Sequence, residues 1–175
     1  MNILLISTEV APYFKTGGVA DVVSGLAKEL NTQLHDARIV VPYYRNLLTQ
    51  PVTLEDVVSE LEVPLGIDSG DSKQPGAYSR YTSIGRTLDT PITYFVGQEF
   101  YFGRDNLYGY PDDYERFIFF CQATLRMLMS PAFRERENNW FPEIIQGYDW
   151  ATGLMPGWIR EFSRTDERFL GTRFV

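Results

Sequence analysis

The first 41 residues carry the strongest constraint on what this chain can fold into. Ile3–Ser7 is a short, continuous apolar run, and Thr8–Gly18 is a turn-rich stretch containing Pro12, Gly17 and Gly18. Val19, Val22, Val23, Leu26, Leu30 and Leu34 then recur at helical spacing, which predicts an amphipathic helix of about four turns. A second apolar run, Ala37–Val41, is closed by Pro42. Apolar runs without alternation suit strands buried on both faces, as in parallel sheets. Strand, glycine loop, helix, strand is a βαβ unit, which implies a parallel sheet with a right-handed crossover. The expected fold class is α/β, with a parallel sheet and flanking helices. The 175 residues fit one such domain, and a hydrophobic content of 44% supplies its core.

Farther along, Val57–Leu65 and Tyr78–Ile84 read as strands, with the polar, turn-rich residues 66–76 between them as a hairpin connection. Ile92–Val96 is an apolar strand after Pro91, and an aromatic, glycine-containing loop follows from Gly97 to Asp113. A second helix starts near Asp113, with Phe117, Phe120, Cys121, Thr124, Leu125 and Leu128 on its inner face and Pro131 just beyond its end. Glu143–Gln146 reads as a short strand, Ala151–Phe162 as a helix weakened by Pro156 and Gly157, and Thr172–Val175 as the opening of another strand. A strand opening at the last residues leads us to expect a domain truncated from a longer protein.

Charge and composition narrow the function. Sixteen Lys+Arg against 23 Asp+Glu give a net charge of −7, which argues against a broad nucleic-acid face. Any bound phosphate must be gripped locally, by backbone N–H groups and one or two cations. One cysteine, Cys121, and one histidine, His35, exclude an intrachain disulfide and a Cys/His zinc site. No apolar run reaches membrane-spanning length, and the N-terminus has neither the basic flank nor the apolar length of a secretory leader. The expectation is a cytoplasmic protein without a membrane partner.

Three segments could carry chemistry. Lys15-Thr16-Gly17-Gly18-Val19-Ala20-Asp21 lies between the first strand and the first helix, at the strand end where ligands bind in doubly wound sheets. Gly17 and Gly18 let backbone N–H groups approach a phosphate, the helix N-terminus favours an anion, and Lys15 supplies a mobile cation. The same residues also fit a plain glycine turn with a solvated lysine, and the sequence holds neither GxxxxGK[ST] nor GxGxxG. The loop Glu99–Tyr110 mixes aromatic rings with Arg104, Asp105 and Asn106, which suits either a carbohydrate surface or a lid packed on the core. Tyr148-Asp149-Trp150 follows another strand, and Asp149 can accept from a substrate or cap the next helix. His35 is expected to meet the last carbonyls of the first helix, and Cys121 to be an inert core thiol. Glu9, Asp21, Glu99, Asp112, Asp113 and Glu115 are too scattered along the chain to mark an acid/base pair.

Taken in order, these motifs resemble a known family. Met1–Pro12 followed by Lys15-Thr16-Gly17-Gly18-Val19-Ala20-Asp21-Val22 resembles the N-terminus of bacterial glycogen synthases and plant starch synthases, with their K-x-G-G-[LV] loop. Val41-Pro42-Tyr43-Tyr44, Tyr101-Phe102-Gly103-Arg104, Tyr108-Gly109 and Asp113–Phe117 look like the family's V-x-P-x-Y, Y-F-x-R, Y-G and D-x-x-R-F segments. Pro142-Glu143-Ile144-Ile145 with Asp149-Trp150 sits where the family has P-D-x-[IV]-H-x-H-D-W-H.

The resemblance implies the N-terminal, acceptor-side half of a GT-B glycosyltransferase, a Rossmann-like domain covering residues 1–175. The C-terminal nucleotide-sugar domain would be a missing partner in cis, and the isolated chain inactive. The family transfers glucose from ADP-glucose to the non-reducing end of an α-1,4-glucan, with retention and without a metal or other cofactor. Carried over, Lys15, Gly17 and Gly18 would meet the diphosphate, Asp21 would lie near the transferred sugar and acceptor, and Tyr148 and Asp149 would complete the catalytic set. Gln146, Tyr148 and Ala151 stand at the family's three histidine positions. That departure leaves open a related transferase with another sugar donor, or a non-catalytic glucan-binding module.

Overall fold

The computed structural model describes residues 1–65 and 78–175. The expected hairpin connection at 66–76 lies outside the described residues. The elements in chain order are β1 (Asn2–Ile6), α1 (Val19–Thr32), β2 (Asp36–Pro42), β3 (Glu55–Leu65), β4 (Tyr78–Arg86), β5 (Thr93–Gly97), α2 (Glu99–Phe102), α3 (Asp113–Met129), α4 (Pro131–Arg136), β6 (Ile144–Gly147), α5 (Met155–Phe162) and β7 (Arg173–Phe174). Short 3₁₀ turns cover Arg45–Leu47, Trp150–Thr152 and Glu167–Gly171.

The strands form one sheet in the order β3-β4-β5-β2-β1-β6-β7. β5, β2, β1, β6 and β7 are parallel, and β4 is antiparallel to both of its neighbours. The parallel strands β1 and β2 carry two of the apolar runs of the sequence: Ile3–Ile6 and Ile39–Val41 are buried. In β4 the outward Tyr81 alternates with buried Thr82 and Ile84, the period of an antiparallel strand with one open face. The chain leaves β1 for β2 on one side and returns after α3 to β6 on the other. The strand order therefore reverses at β1/β6, and a crevice opens at the carboxyl ends of these two strands. Gly147 closes β6 because nothing larger fits: a Cβ there would lie 2.6 Å from the Thr152 hydroxyl and 2.7 Å from the Phe174 ring.

Within α1 the buried stripe is Ala20, Val23, Ser24 and Ala27, with Leu26 and Leu30 packed at its margin. Val22 is exposed, and Leu34 lies beyond the helix end at φ 64°, so neither belongs to the predicted inner face. On α3, Phe117, Phe120, Cys121, Thr124, Leu125 and Leu128 are all buried, as expected. Pro131 does end α3, but it also opens α4, since proline lacks only an N–H that a first turn leaves unused. The expected helix Ala151–Phe162 is instead a 3₁₀ turn followed by α5, with Pro156 tolerated in its first turn.

Candidate functional site

Because β1, β2, β5 and β6 run parallel, the segments that follow them open at one edge of the sheet. After β1 the chain turns through Ser7–Gly18 into α1. After β6 it turns through Tyr148–Thr152, and the Tyr148 N–H donates to the Ile6 carbonyl at 3.0 Å, which ties the two turns together.

Glu9 organises the first turn. One carboxylate oxygen accepts from the Thr16 hydroxyl at 2.7 Å and the Tyr108 hydroxyl at 2.9 Å. The other accepts from the backbone N–H of Thr16 at 2.5 Å and of Gly17 at 3.1 Å. Thr8 continues the chain, 2.5 Å from the Tyr108 hydroxyl oxygen. Burial alone would raise the Glu9 pKa; the hydrogen bonds from Thr16, Tyr108 and Gly17 outweigh it and hold the carboxyl below its ordinary value. Burial, and then hydrogen bonding to Glu9, push Tyr108 up, and the charge of Asp149 raises it further despite the opposing bond from Thr8. Glu9 is thus an ionised, buried carboxylate with all its donors inside the protein.

This arrangement divides the predicted phosphate loop. The Gly17 N–H is turned inward onto Glu9. The N–H groups of Gly18, Val19, Ala20 and Asp21 have no partner among the described residues and face outward at the start of α1. Lys15 and Asp21 bracket them, with Lys15 Nζ 2.6 Å from Asp21 Oδ2 and both side chains about half exposed. The outward donors are therefore those of Gly18 and the first helical turn, beside the Lys15 ammonium.

On the neighbouring strand, Gln146 donates its side-chain N–H to the Tyr148 hydroxyl at 3.1 Å. Burial raises the Tyr148 pKa, so the phenol stays protonated at neutral pH. Asp149 caps the following turn, accepting from the Trp150 N–H at 2.6 Å. It does so at φ 64° and ψ 179°, a conformation essentially confined to glycine. Trp150 is 56% exposed and stands edge-on to Phe117 at 5.3 Å. Lys15, Gly18 and Asp21 are brought together on one turn and Tyr148 and Asp149 on the adjacent one. Among the described residues no hydrogen bond joins the two sets.

Several of the remaining candidates have structural partners. Arg104 grips Asp112 through two bonds of 2.6 Å, Arg116 pairs with Asp113 at 2.5 Å, and Glu115 accepts from Tyr78 at 2.9 Å. In the aromatic loop Tyr101, Phe102 and Leu107 are buried, so most of it is a lid on the core, while Phe100 stays exposed. Cys121 is buried with its thiol against the Ala151 carbonyl, and burial pushes its pKa up to about 12, as befits an inert core thiol. The His35 ring does not meet the helix carbonyls: its backbone N–H does, at Leu30, while the ring lies 3.4 Å from the N-terminal amine. Glu9 and Tyr108 were missed as site residues because they meet Thr16, Gly17 and each other across 7, 8 and 99 positions. A carboxylate at the end of the first strand, just before the glycine loop, was the available signal.

Among the described residues, no group of three or more His, Cys, Asp or Glu is placed to hold a metal ion, and no helix is long and apolar enough to cross a membrane.

The sequence model of the starch synthase catalytic domain matches residues 2–175. The chain is 40% identical to a glycogen synthase of Syntrophotalea carbinolica over 98% of its own length and 33% of the relative's. It is 35% identical to a glycogen synthase of Geobacillus stearothermophilus, over its whole length and again 33% of the relative. Among solved structures it superposes on the catalytic domain of starch synthase IV from Arabidopsis thaliana, bound to ADP and acarbose. That match has a TM-score of 0.74 at 26% identity and covers 99% of this chain and 32% of that one. The chain thus spans about a third of the length of the relatives it matches. With the strand reversal at β1/β6 and the lysine-glycine turn at its crevice, the match along residues 2–175 places this chain in the starch synthase catalytic domain family.

Proposed function

We propose that this domain forms the acceptor side of a retaining glucosyltransferase that moves glucose from ADP-glucose to the non-reducing end of an α-1,4-glucan. The observation that carries the reading is the turn Lys15–Asp21, with its cation and outward helix N–H groups at the reversal point of a family-matched sheet. In this reading the nucleotide-sugar half of the site comes from a further domain, and these 175 residues alone do not turn over. Support comes from the relatives' names and from the ADP and acarbose bound to the Arabidopsis structure.

Transfer breaks the bond between the glucose anomeric carbon and the diphosphate and forms one to an acceptor hydroxyl, so negative charge grows on the departing diphosphate. Lys15 and the N–H groups of Gly18 to Asp21 meet that charge in fixed positions, and preorganised donors are worth most in the transition state. Gly17 contributes indirectly, through Glu9, by fixing the turn. Asp21 orients Lys15 in the resting state and frees it when the diphosphate competes for the ammonium. Tyr148 offers a protonated phenol and Asp149 an acceptor to sugar hydroxyls. The proposed reaction needs no metal or other cofactor, since the leaving charge is met by these groups.

One observation favours a second reading. Gln146 and Tyr148 hydrogen-bond to each other where the family pattern has histidines, a rebuilt strand end that fits a different sugar donor. The test is incorporation of labelled glucose into glycogen by the protein of the complete reading frame, with ADP-glucose and UDP-glucose in parallel. Transfer from ADP-glucose supports the first reading. Transfer from UDP-glucose alone supports the second, and inertness with both overturns the first.

A further inference from the structure

One buried arginine ties down the aromatic loop between α2 and α3. Arg116 stands on the first turn of α3, and its side chain is fully buried. Its Nε donates to the Tyr101 carbonyl at 2.8 Å, while Nη1 donates to the Leu107 carbonyl at 3.3 Å and to Asp113 Oδ1 at 2.5 Å. Asp113 in turn accepts at Oδ2 from the backbone N–H of Gly109 at 2.7 Å and of Tyr110 at 3.2 Å. Gly109 takes φ 97° to make that return, a conformation that side chains rarely adopt. The loop is thus fastened to α3 at Tyr101, Leu107, Gly109 and Tyr110.

Stability alone does not account for this arginine. Its Nη2 is buried with no partner among the described residues, and replacing a buried ion pair by apolar side chains is often neutral or stabilising. What its bonds do fix is the place of Tyr108, which lies between the tied residues Leu107 and Gly109. The Tyr108 ring packs on Phe117 at 6.0 Å, and its hydroxyl donates to Glu9 Oε1 at 2.9 Å. The other donors to Glu9 are the Thr16 hydroxyl and the N–H groups of Thr16 and Gly17, all within the lysine-glycine turn. Tyr108 is the donor that reaches Glu9 from outside the turn.

A relay therefore runs from α3 to the turn: Arg116 holds Leu107, Tyr108 bonds Glu9, and Glu9 holds Thr16 and Gly17, the residues that follow Lys15. The outward N–H groups at the start of α1 are held by the helix itself, so Lys15 is the group whose place depends on the turn. We propose that Tyr108 and Arg116 are positioning residues for Lys15: they set where its ammonium stands, and they act through Glu9 without touching substrate. This rests on the transferase reading given above. The aromatic loop then has a task beyond covering the core, since it braces the turn that meets the leaving diphosphate.

The experiment is a double-mutant cycle in the protein of the complete reading frame. Tyr108→Phe removes one hydroxyl and keeps the ring on Phe117. It is expected to lower kcat about tenfold, the loss of one hydrogen bond to a charged group, and to change kcat by less than about twofold where Lys15 is already alanine. Hydrogen exchange followed by mass spectrometry gives a readout apart from activity: the segment holding the Thr16 and Gly17 N–H groups should exchange about tenfold faster in Tyr108→Phe. Arg116→Lys keeps the charge but lacks the planar fork that reaches Tyr101, Leu107 and Asp113, and it is expected to move both measurements in the same direction. Tyr114→Phe, at an exposed tyrosine of the same helix, is the control and should move neither. The proposal is overturned if Tyr108→Phe lowers kcat as much in the Lys15→Ala protein as in the wild type, or if exchange at Thr16 and Gly17 stays unchanged. In a protein that transfers glucose from neither donor the transferase reading falls, and the exchange measurement alone upholds or overturns the relay.

Discussion

Glu9 holds the turn that carries Lys15, and its four donors set what its loss should do. In Glu9→Gln the amide oxygen can still accept from the N–H groups of Thr16 and Gly17, but the NH2 then faces the Thr16 and Tyr108 hydroxyls, which lose their acceptor, and the charge is gone. We expect a loss of about 2 kcal/mol, the scale of hydrogen bonds to a buried charge. The pH dependence has a definite sign. The folded pKa lies below the ordinary 4.5, so the stabilisation is present above that value and is lost as pH falls through the folded one. Urea unfolding should show wild type and Glu9→Gln converging in acid and separating above about pH 5. Lys15 behaves differently. Its pair with Asp21 is half exposed and contributes little to stability. Lys15→Ala should leave the melting temperature nearly unchanged and lower kcat of the proposed transferase by about 10²–10³-fold, the usual loss for one charge-stabilising donor. A fall in stability with kcat intact would reverse the roles assigned to the two residues.

At the scale of elements, the turn after β6 stores strain that a substitution series can read. Asp149 combines φ 64° with a cap on Trp150. Asp149→Gly relieves the backbone and loses the cap, whereas Asp149→Ala loses the cap and keeps the strain. The alanine variant should therefore be the less stable by about 1–2 kcal/mol in chemical denaturation. Equal stability would place the cost elsewhere. The elements themselves were largely legible in the sequence. Apolar runs marked β1, β2 and β5, and helical periodicity marked α1 and α3, because burial imposes those patterns directly. The hairpin strands β3 and β4 were legible too, as strand-like segments flanking a polar, turn-rich stretch. What escaped was set by tertiary contact. α2 has four residues and no period to detect, and it forms where Gln98 caps it. Val22 looked like core because it fits an apolar spacing, yet it stands exposed on α1 among the described residues. For the site, the Lys15 turn was visible as a motif. The Glu9–Tyr108 bond was not, since no local pattern links residues 99 positions apart.

Over the whole molecule, one buried ion network joins the antiparallel hairpin to the parallel strands. Glu137, with a side chain 2% exposed, accepts from Arg38 of β2 at 2.6 Å and from Arg86 of β4 at 2.8 Å. Arg38 also stacks on Trp140, its carbon 4.2 Å from the ring centre, and bonds Tyr94 of β5 at 2.6 Å. Removing the central carboxylate leaves Arg38 its pair with Asp36 and Arg86 its pair with Glu55, but takes from each guanidinium its most buried partner. Glu137→Ala should cost about 1.5–3 kcal/mol by denaturant titration, the scale of hydrogen bonds to charged groups. Glu161→Ala, which breaks an exposed pair with Arg164, should cost nothing measurable. A small loss at Glu137 would mean that water reaches the network and the hairpin is held by apolar packing alone.

The place of β1 inside the sheet, between β2 and β6, also sets when the crevice can exist. Ile3 pairs with Ala37 on one side but with Ile144 on the other. During synthesis the β1–α1–β2 unit can assemble early, while the far edge of β1 waits for β6. At about 5–20 residues per second, a ribosome needs roughly 5–20 seconds to make the intervening chain. Throughout that interval the nascent protein holds its glycine turn beside an unpaired strand edge, the kind of edge on which other chains nucleate aggregates. The crevice is thus a late product of translation, and the hazard it creates belongs to the cell's chaperones before it belongs to the finished fold.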